Sequence, residues 1–173
     1  MDALPSASRF LPMVANASLA LLCLASLVLA VTDLRRGIIP DWANLLIAVV
    51  GLARAVLLEN LAAALAAGCE GIAVGAVVWL LRWLFFRVRK YHGLGLGDVK
   101  LLAASGVWIG IAGVPVQLLV ASLTALAAAG FMRLSGHTMT RQTSLPFGPF
   151  LALGLVTAVA LQQAGWMNGS TDG

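Results

Sequence analysis

Long apolar runs separated by short polar stretches dominate the chain, and a helix needs about 20 mostly apolar residues to cross the hydrocarbon core of a bilayer. Six such runs occur. The first extends from about Leu11 to Thr32 and the second from about Trp42 to Leu58. The third lies within Leu61 to Phe86, longer than one crossing requires and interrupted by Glu70 and Arg82. The fourth runs from about Val99 to Ile111, the fifth from Val114 to Met132 and the sixth from Phe147 to Ala164. The fourth is short, which predicts that its helix begins before Asp98 or is tilted. The pattern predicts an all-α fold: a polytopic membrane bundle of about six transmembrane helices, forming one domain over residues 1–173 with no separate soluble domain. The first run reads as a span rather than a cleaved signal peptide. It exceeds the usual core length of about 7–15 residues and ends in Thr32-Asp33-Leu34-Arg35-Arg36 instead of a small-residue cleavage site.

Composition removes the soluble alternative. Of 173 residues, 61% are hydrophobic and 10% charged, too few polar side chains to coat a water-soluble domain. The formal charge of +4 does not point to nucleic acid, because the basic residues fall in short clusters between apolar runs rather than along one face. Nine of the eleven Lys and Arg lie in alternate loops: Arg35 and Arg36, then Arg82, Arg87, Arg89, Lys90 and Lys100, then Arg133 and Arg141. Basic loops are retained on the cytoplasmic side. Both termini and the turns near Glu59 and Gly113 are therefore expected on the opposite side. Cys23 and Cys69 have no nearby thiol or histidine partner and are expected to pack as small apolar residues, with no disulfide framework and no zinc site. His92 and His137 lack ligand-spaced partners, so neither a metal nor a cofactor is expected. Gly71-xxx-Gly75 and Gly106-xxx-Gly110 have the spacing that lets helix backbones approach closely, which points to internal packing.

The candidate chemistry lies in the acidic residues. Asp2, Glu59 and Asp172 have ordinary solvated positions, whereas Glu70 is either a break in the third span or a packed polar residue of unassigned role. Asp33 ends an outside-to-inside helix and Asp98 begins an inside-to-outside one, so both are expected at the same membrane face. A carboxylate at a helix edge in low dielectric is costly unless hydrated, paired or functional. Two that meet suit acid–base chemistry, because nearby like charges resist joint ionisation. The plainer reading pairs Asp33 with Arg35 or Arg36 and makes Asp98 a helix cap. Asp41 and Asn44 are expected as caps of the second helix. Lys100 could hold a lipid phosphate, orient substrate or tune Asp98, or simply snorkel.

Three segments carry a family resemblance. Asp33-Leu34-Arg35-Arg36-Gly37-Ile38-Ile39-Pro40-Asp41-Trp42-Ala43-Asn44, Gly95-Leu96-Gly97-Asp98-Val99-Lys100-Leu101-Leu102-Ala103-Ala104 and Pro146-Phe147-Gly148-Pro149-Phe150-Leu151 resemble the type IV prepilin peptidases, membrane aspartic proteases of the GxGD type. The resemblance implies that Asp33 and Asp98 are the catalytic pair. It marks Pro40, Asp41, Asn44, Gly95, Gly97, Lys100, Pro146, Gly148 and Pro149 as supporting positions. It also implies cleavage of basic leaders from prepilins or pilin-like secretion subunits, just before an apolar helix, at the cytoplasmic face of a bacterial inner membrane. Longer members carry an N-terminal CxxC-containing domain associated with methylation; with no such cysteine pattern here, methyltransferase activity is not expected. The expected partners are these substrates and membrane lipid. A proton-coupled transporter or channel subunit using the same carboxylates, and a purely structural subunit, are the alternatives.

Overall fold

The computed structural model describes residues 7–89, 95–135 and 146–165, and in them the chain is helical throughout apart from short connections. The elements are α1 (Ala7–Arg36), α2 (Asp41–Leu58), α3 (Leu61–Arg89), α4 (Leu96–Leu134) and α5 (Gly148–Gln163). Four of them are long and apolar enough to cross a membrane, and α5 is a shorter apolar helix. Leu24, Leu45, Ile72, Leu126 and Phe131 stand exposed on the outside, the inverse of a water-soluble surface and suited to hydrocarbon. The chain is a multi-pass helical membrane protein.

The six expected spans map onto five helices because α4 contains two of them. At Gly110 the backbone takes φ 65 and ψ 177, a conformation open essentially to glycine alone. There the chain turns back on itself. The Gln117 side-chain amide donates to Ser105 Oγ at 2.9 Å, although a straight helix would hold residues twelve apart at about 18 Å. The arms 96–109 and 111–134 are therefore antiparallel neighbours, and the five helices make six helical segments among the described residues. The first arm begins at Leu96, before Asp98, as the short fourth run requires.

A helix reversal orphans backbone groups on both sides of the break, and such groups cost several kcal/mol each, on the order of the values for transfer to hydrocarbon, wherever water does not reach them. Two other helices supply the missing partners. Glu70 of α3 accepts a hydrogen bond from the Ile111 N–H at 2.8 Å. Gln162 of α5 donates to the Ile109 carbonyl at 2.8 Å. Glu70 thus neither breaks the third span nor sits idle: α3 is continuous through it, and its carboxylate caps the second arm of α4.

Small residues set the helix spacing. A Cβ on Gly71 would lie 2.6 Å from Val107 and 2.8 Å from the Ala103 carbonyl, and one on Gly106 would lie 3.0 Å from the Gly71 Cα. These glycines let α3 and the first arm of α4 touch backbone to backbone, where dispersion replaces the hydrophobic driving force that lipid cannot supply. Leu22, Leu29, Ile47, Leu101, Leu151 and Leu155 fill the centre. Fully buried Gln117 also donates to the Leu151 carbonyl at 3.1 Å, joining both arms to α5. Cys23 and Cys69 do not pack inside; both face outward as free thiols, because each falls on the lipid-facing side of its helix.

The break at Gly110 predicts an order of stabilities. Gly110→Ala combines a strained left-handed φ with a Cβ driven into the Glu70 carboxylate, and should destabilise the fold by about 2–4 kcal/mol. Glu70→Ala removes only the Ile111 partner and should cost about 1–2 kcal/mol. Equilibrium denaturation of the purified protein in mixed micelles measures both.

Candidate active site

The end of the bundle where α1 finishes and α2, α4 and α5 begin carries all three sequence segments singled out above. Gly37, at φ 62, terminates α1 and donates its N–H to the Asp33 carbonyl at 2.7 Å, an ending that favours glycine. Asp33 therefore lies in the last turn of α1, inside the helix rather than after it. Asp98 lies in the first turn of α4, whose N-cap is Gly95. Both side chains are buried, at 5% and 9% exposure, yet both line one open cavity of about 680 Å³. Asp98 lies within electrostatic reach of Asp33.

Backbone N–H groups hold the two carboxylates in place. Gly148, at the start of α5, donates to Asp33 Oδ2 at 3.0 Å across 115 residues of sequence. Gly95 donates to Asp98, which at this helix position reaches back over the N-terminus of α4. Close approach is possible only because side chains are missing. A Cβ on Gly148 would stand 2.5 Å from Asp33 Oδ2, and one on Gly95 would stand 3.2 Å from Asp98 Oδ2. A Cβ on Gly97 would lie 2.7 Å from that of Ile39. Ile39 is the residue that sequence reasoning missed. It contacts both Gly97 and Gly148, so one side chain from the first segment seats the second and third. Its only signal was its place between Gly37 and Pro40.

The plainer reading of the aspartates holds in one half. Asp98 does cap α4, but neither Arg35 nor Arg36 forms an ion pair with Asp33 among the described residues. The remaining candidates divide by place. Asp41, Gly95, Gly97, Lys100 and Pro146 line the cavity with the two aspartates. Pro40 is the N-cap of α2 and Pro149 opens α5, each where a proline's missing N–H costs nothing. Asp41 and Asn44 do not cap α2 as expected, for both Asp41 oxygens accept from Lys100 and neither Asn44 amide atom is bonded. Asp41 instead turns away to Lys100, whose ammonium sits 2.7 Å from each carboxylate oxygen. This pair bridges the first turns of α2 and α4 and is well exposed. Asn44 is buried beyond it with neither amide atom bonded. His92, His137, Lys90, Arg141, Asp2 and Asp172 lie outside the described residues.

With this geometry in hand, the sequence was set against known proteins. The model of the type IV leader peptidase family matches residues 20–130, which include both aspartates. The chain belongs to that family. Relatives named prepilin leader peptidase/N-methyltransferase are similar to it. The one from Burkholderia pseudomallei strain 1026b is 38% identical over 134 residues, covering 77% of this chain and 42% of the relative. That of Dickeya chrysanthemi is 38% identical, covering 85% and 52%, and that of Escherichia coli K12 is 36% identical, covering 84% and 63%. The chain thus spans about half the length of the curated relatives it matches. No solved structure matches it.

The contacts around the leader-peptidase aspartates rank the substitutions. Gly148→Ala sets a methyl against a buried carboxylate and should destabilise by about 1–3 kcal/mol. Lys100→Met or Asp41→Asn breaks an exposed ion pair and should cost no more than about 1 kcal/mol, shrinking further in high salt. Chemical denaturation at two salt concentrations distinguishes them.

Proposed function

We propose that the chain is a membrane-embedded aspartic endopeptidase that removes basic leader peptides from type IV prepilins or pilin-like secretion subunits, with Asp33 and Asp98 as its catalytic pair. The observation that carries this reading is the meeting of two buried carboxyl groups, from separate helices, in one cavity of a leader-peptidase family member. Of the two activities in the relatives' name, we assign the peptidase one, since this cavity offers paired acids.

The chemistry follows from having two acids in one site. Like charges this close resist joint ionisation, so the working state holds one proton between two carboxyls. The ionised member takes a proton from water as the water oxygen bonds to the scissile carbonyl carbon. The protonated member donates to the carbonyl oxygen, stabilising charge as it develops. Collapse of the tetrahedral species breaks the C–N bond, and the departing nitrogen receives a proton from the carboxyl that first acted as base. No side-chain nucleophile is required. The backbone N–H bonds to both aspartates hold them in register for this exchange.

A helical peptide hides its carbonyls in its own hydrogen bonds, so the substrate must present an unwound stretch to the cavity. Ile38, Leu34 and Phe147 give the cavity apolar walls beside its acids, and Lys100 and Asp41 lie at its margin. The Lys- and Arg-rich loops support an orientation with this end of the bundle on the cytoplasmic side of a bacterial inner membrane, where a basic leader waits before export. Anionic lipid headgroups offset the repulsion between a basic leader and those loops.

Asp33→Asn and Asp98→Asn should each abolish cleavage of a type IV prepilin in purified liposomes, with the variants still inserted. Asp98→Asn processing at the parental rate would end the proposal. A proton relay on the same pair would give no shortened product and would depend on a proton gradient. The pH profile should be bell-shaped: in acid both carboxyls are protonated and the base is lost, and in alkali both are ionised and the acid is lost. Initial rates across the range check the two limbs.

A further inference from the structure

Beside the aspartate cavity runs a second depression, a groove of about 520 Å³ between α2, α3 and the first arm of α4. Its far part is apolar and floored by small residues, among them Ala48, Gly68, Gly71 and Ala103. It extends along α2 from Asp41 to Leu52, which corresponds to about 16 Å of helix rise. Leu45 and Ile72 stand exposed at its sides. Asp41 and Lys100 line both depressions, so the groove adjoins the cavity at their ion pair.

Asn44 gives the groove its chemical character. It is 5% exposed, and neither its amide nitrogen nor its amide oxygen has a partner, though buried polar groups are almost always bonded. Leaving such a group unpaired is costly, so an occupant that bonds to it binds more tightly for doing so. Both atoms are covered here, and on turning toward the groove Asn44 would present one donor group and one acceptor, the complement of a peptide unit with its own C=O and N–H. An acyl chain offers neither. Small residues on the floor further suit a polypeptide backbone, which approaches closely only where side chains are short.

We propose that this groove receives the apolar segment following the scissile bond of the substrate, with Asn44 bonding to the backbone where that segment unwinds into the cavity. The inference rests on the peptidase reading. It assigns Asn44 to substrate binding and makes α2, α3 and α4 the face on which the substrate lies. A comparable depression between α1 and α5, lined by Cys23, Leu27 and Leu153, shares no residue with the aspartate cavity and therefore serves as the control surface.

The test uses two prepilin substrates with the same leader, one carrying its full apolar segment and one cut short a few residues beyond the cleavage site. Ala48→Leu fills the groove and Asn44→Leu removes its hydrogen-bonding groups. Each should lower the ratio of kcat/KM for the long over the short substrate by about tenfold or more, through KM, as expected for lost substrate binding. Asn44→Leu should at the same time raise the thermal midpoint, because an unpaired buried amide is gone; a residue serving the fold alone would move stability and leave the ratio untouched. Leu27→Ala, on the control surface, should keep the parental ratio. A photoreactive benzoylphenylalanine placed at Ile72 in an Asp98→Asn background should crosslink to the long substrate, and one placed at Leu27 should not. This second arm decides the matter if a groove variant does not fold. Parental ratios in both groove variants, or Ile72 adducts with lipid alone, overturn the inference while leaving the peptidase reading intact. Failure of the parental protein to cut either substrate overturns both.

Discussion

One backbone N–H, that of Gly148, holds a carboxylate at the far end of another helix, and much of the site's geometry depends on that bond. Asp33 and Gly148 are separated by 115 residues, yet lie 3.0 Å apart between Oδ2 and nitrogen. A burial of this kind is tolerable only with a donor at hand, since a carboxylate leaving water without one loses far more than it gains. The donor in turn needs α5 to start close against α1, which a side chain at Gly148 would prevent. Ile39 then fixes the third partner by packing on Gly97, next to Asp98. Gly95, Gly97 and Gly148 are thus spaces reserved for two carboxyl groups and one isoleucine.

The helices of the bundle were legible in the sequence because bilayer thickness imposes a length on every apolar run, and the six runs correspond to six helical segments. Their limits were readable to within a few residues, as with Trp42–Leu58 against the observed Asp41–Leu58. The meeting of Asp33 and Asp98 was legible too, by parity: an even number of crossings between them returns the chain to the same face. What parity cannot give is orientation around a helix axis. Cys23 and Cys69 turned out to face outward, and Asp41 turned from its own helix end to Lys100 of α4. Capping preference is local, and here a charge two helices away in sequence won over it.

Glu70 was the least legible residue, and the reason is physical. Its partner is a backbone N–H exposed only by the reversal at Gly110, a feature that carries a glycine and nothing else in the way of signal. Apolar periodicity reports which residues leave water; it is silent on backbone groups orphaned inside the bundle. Gln162 escaped notice for the same reason, since its amide serves the Ile109 carbonyl on the other side of the break. The two side chains, from α3 and α5, do for the reversal what water does for an ordinary turn.

That arrangement bears on how the polypeptide enters the bilayer during synthesis. A hairpin whose apex is a single glycine, with its stray amide and carbonyl both answered from within, has no hydrated loop to drag across the lipid. Residues 96–134 thus suit entry as one folded-over pair whose apex adds no charged side chain. In chain order α3 precedes the pair and α5 follows it, so the carboxylate that receives the apex is synthesised before it and the glutamine that completes the join after it.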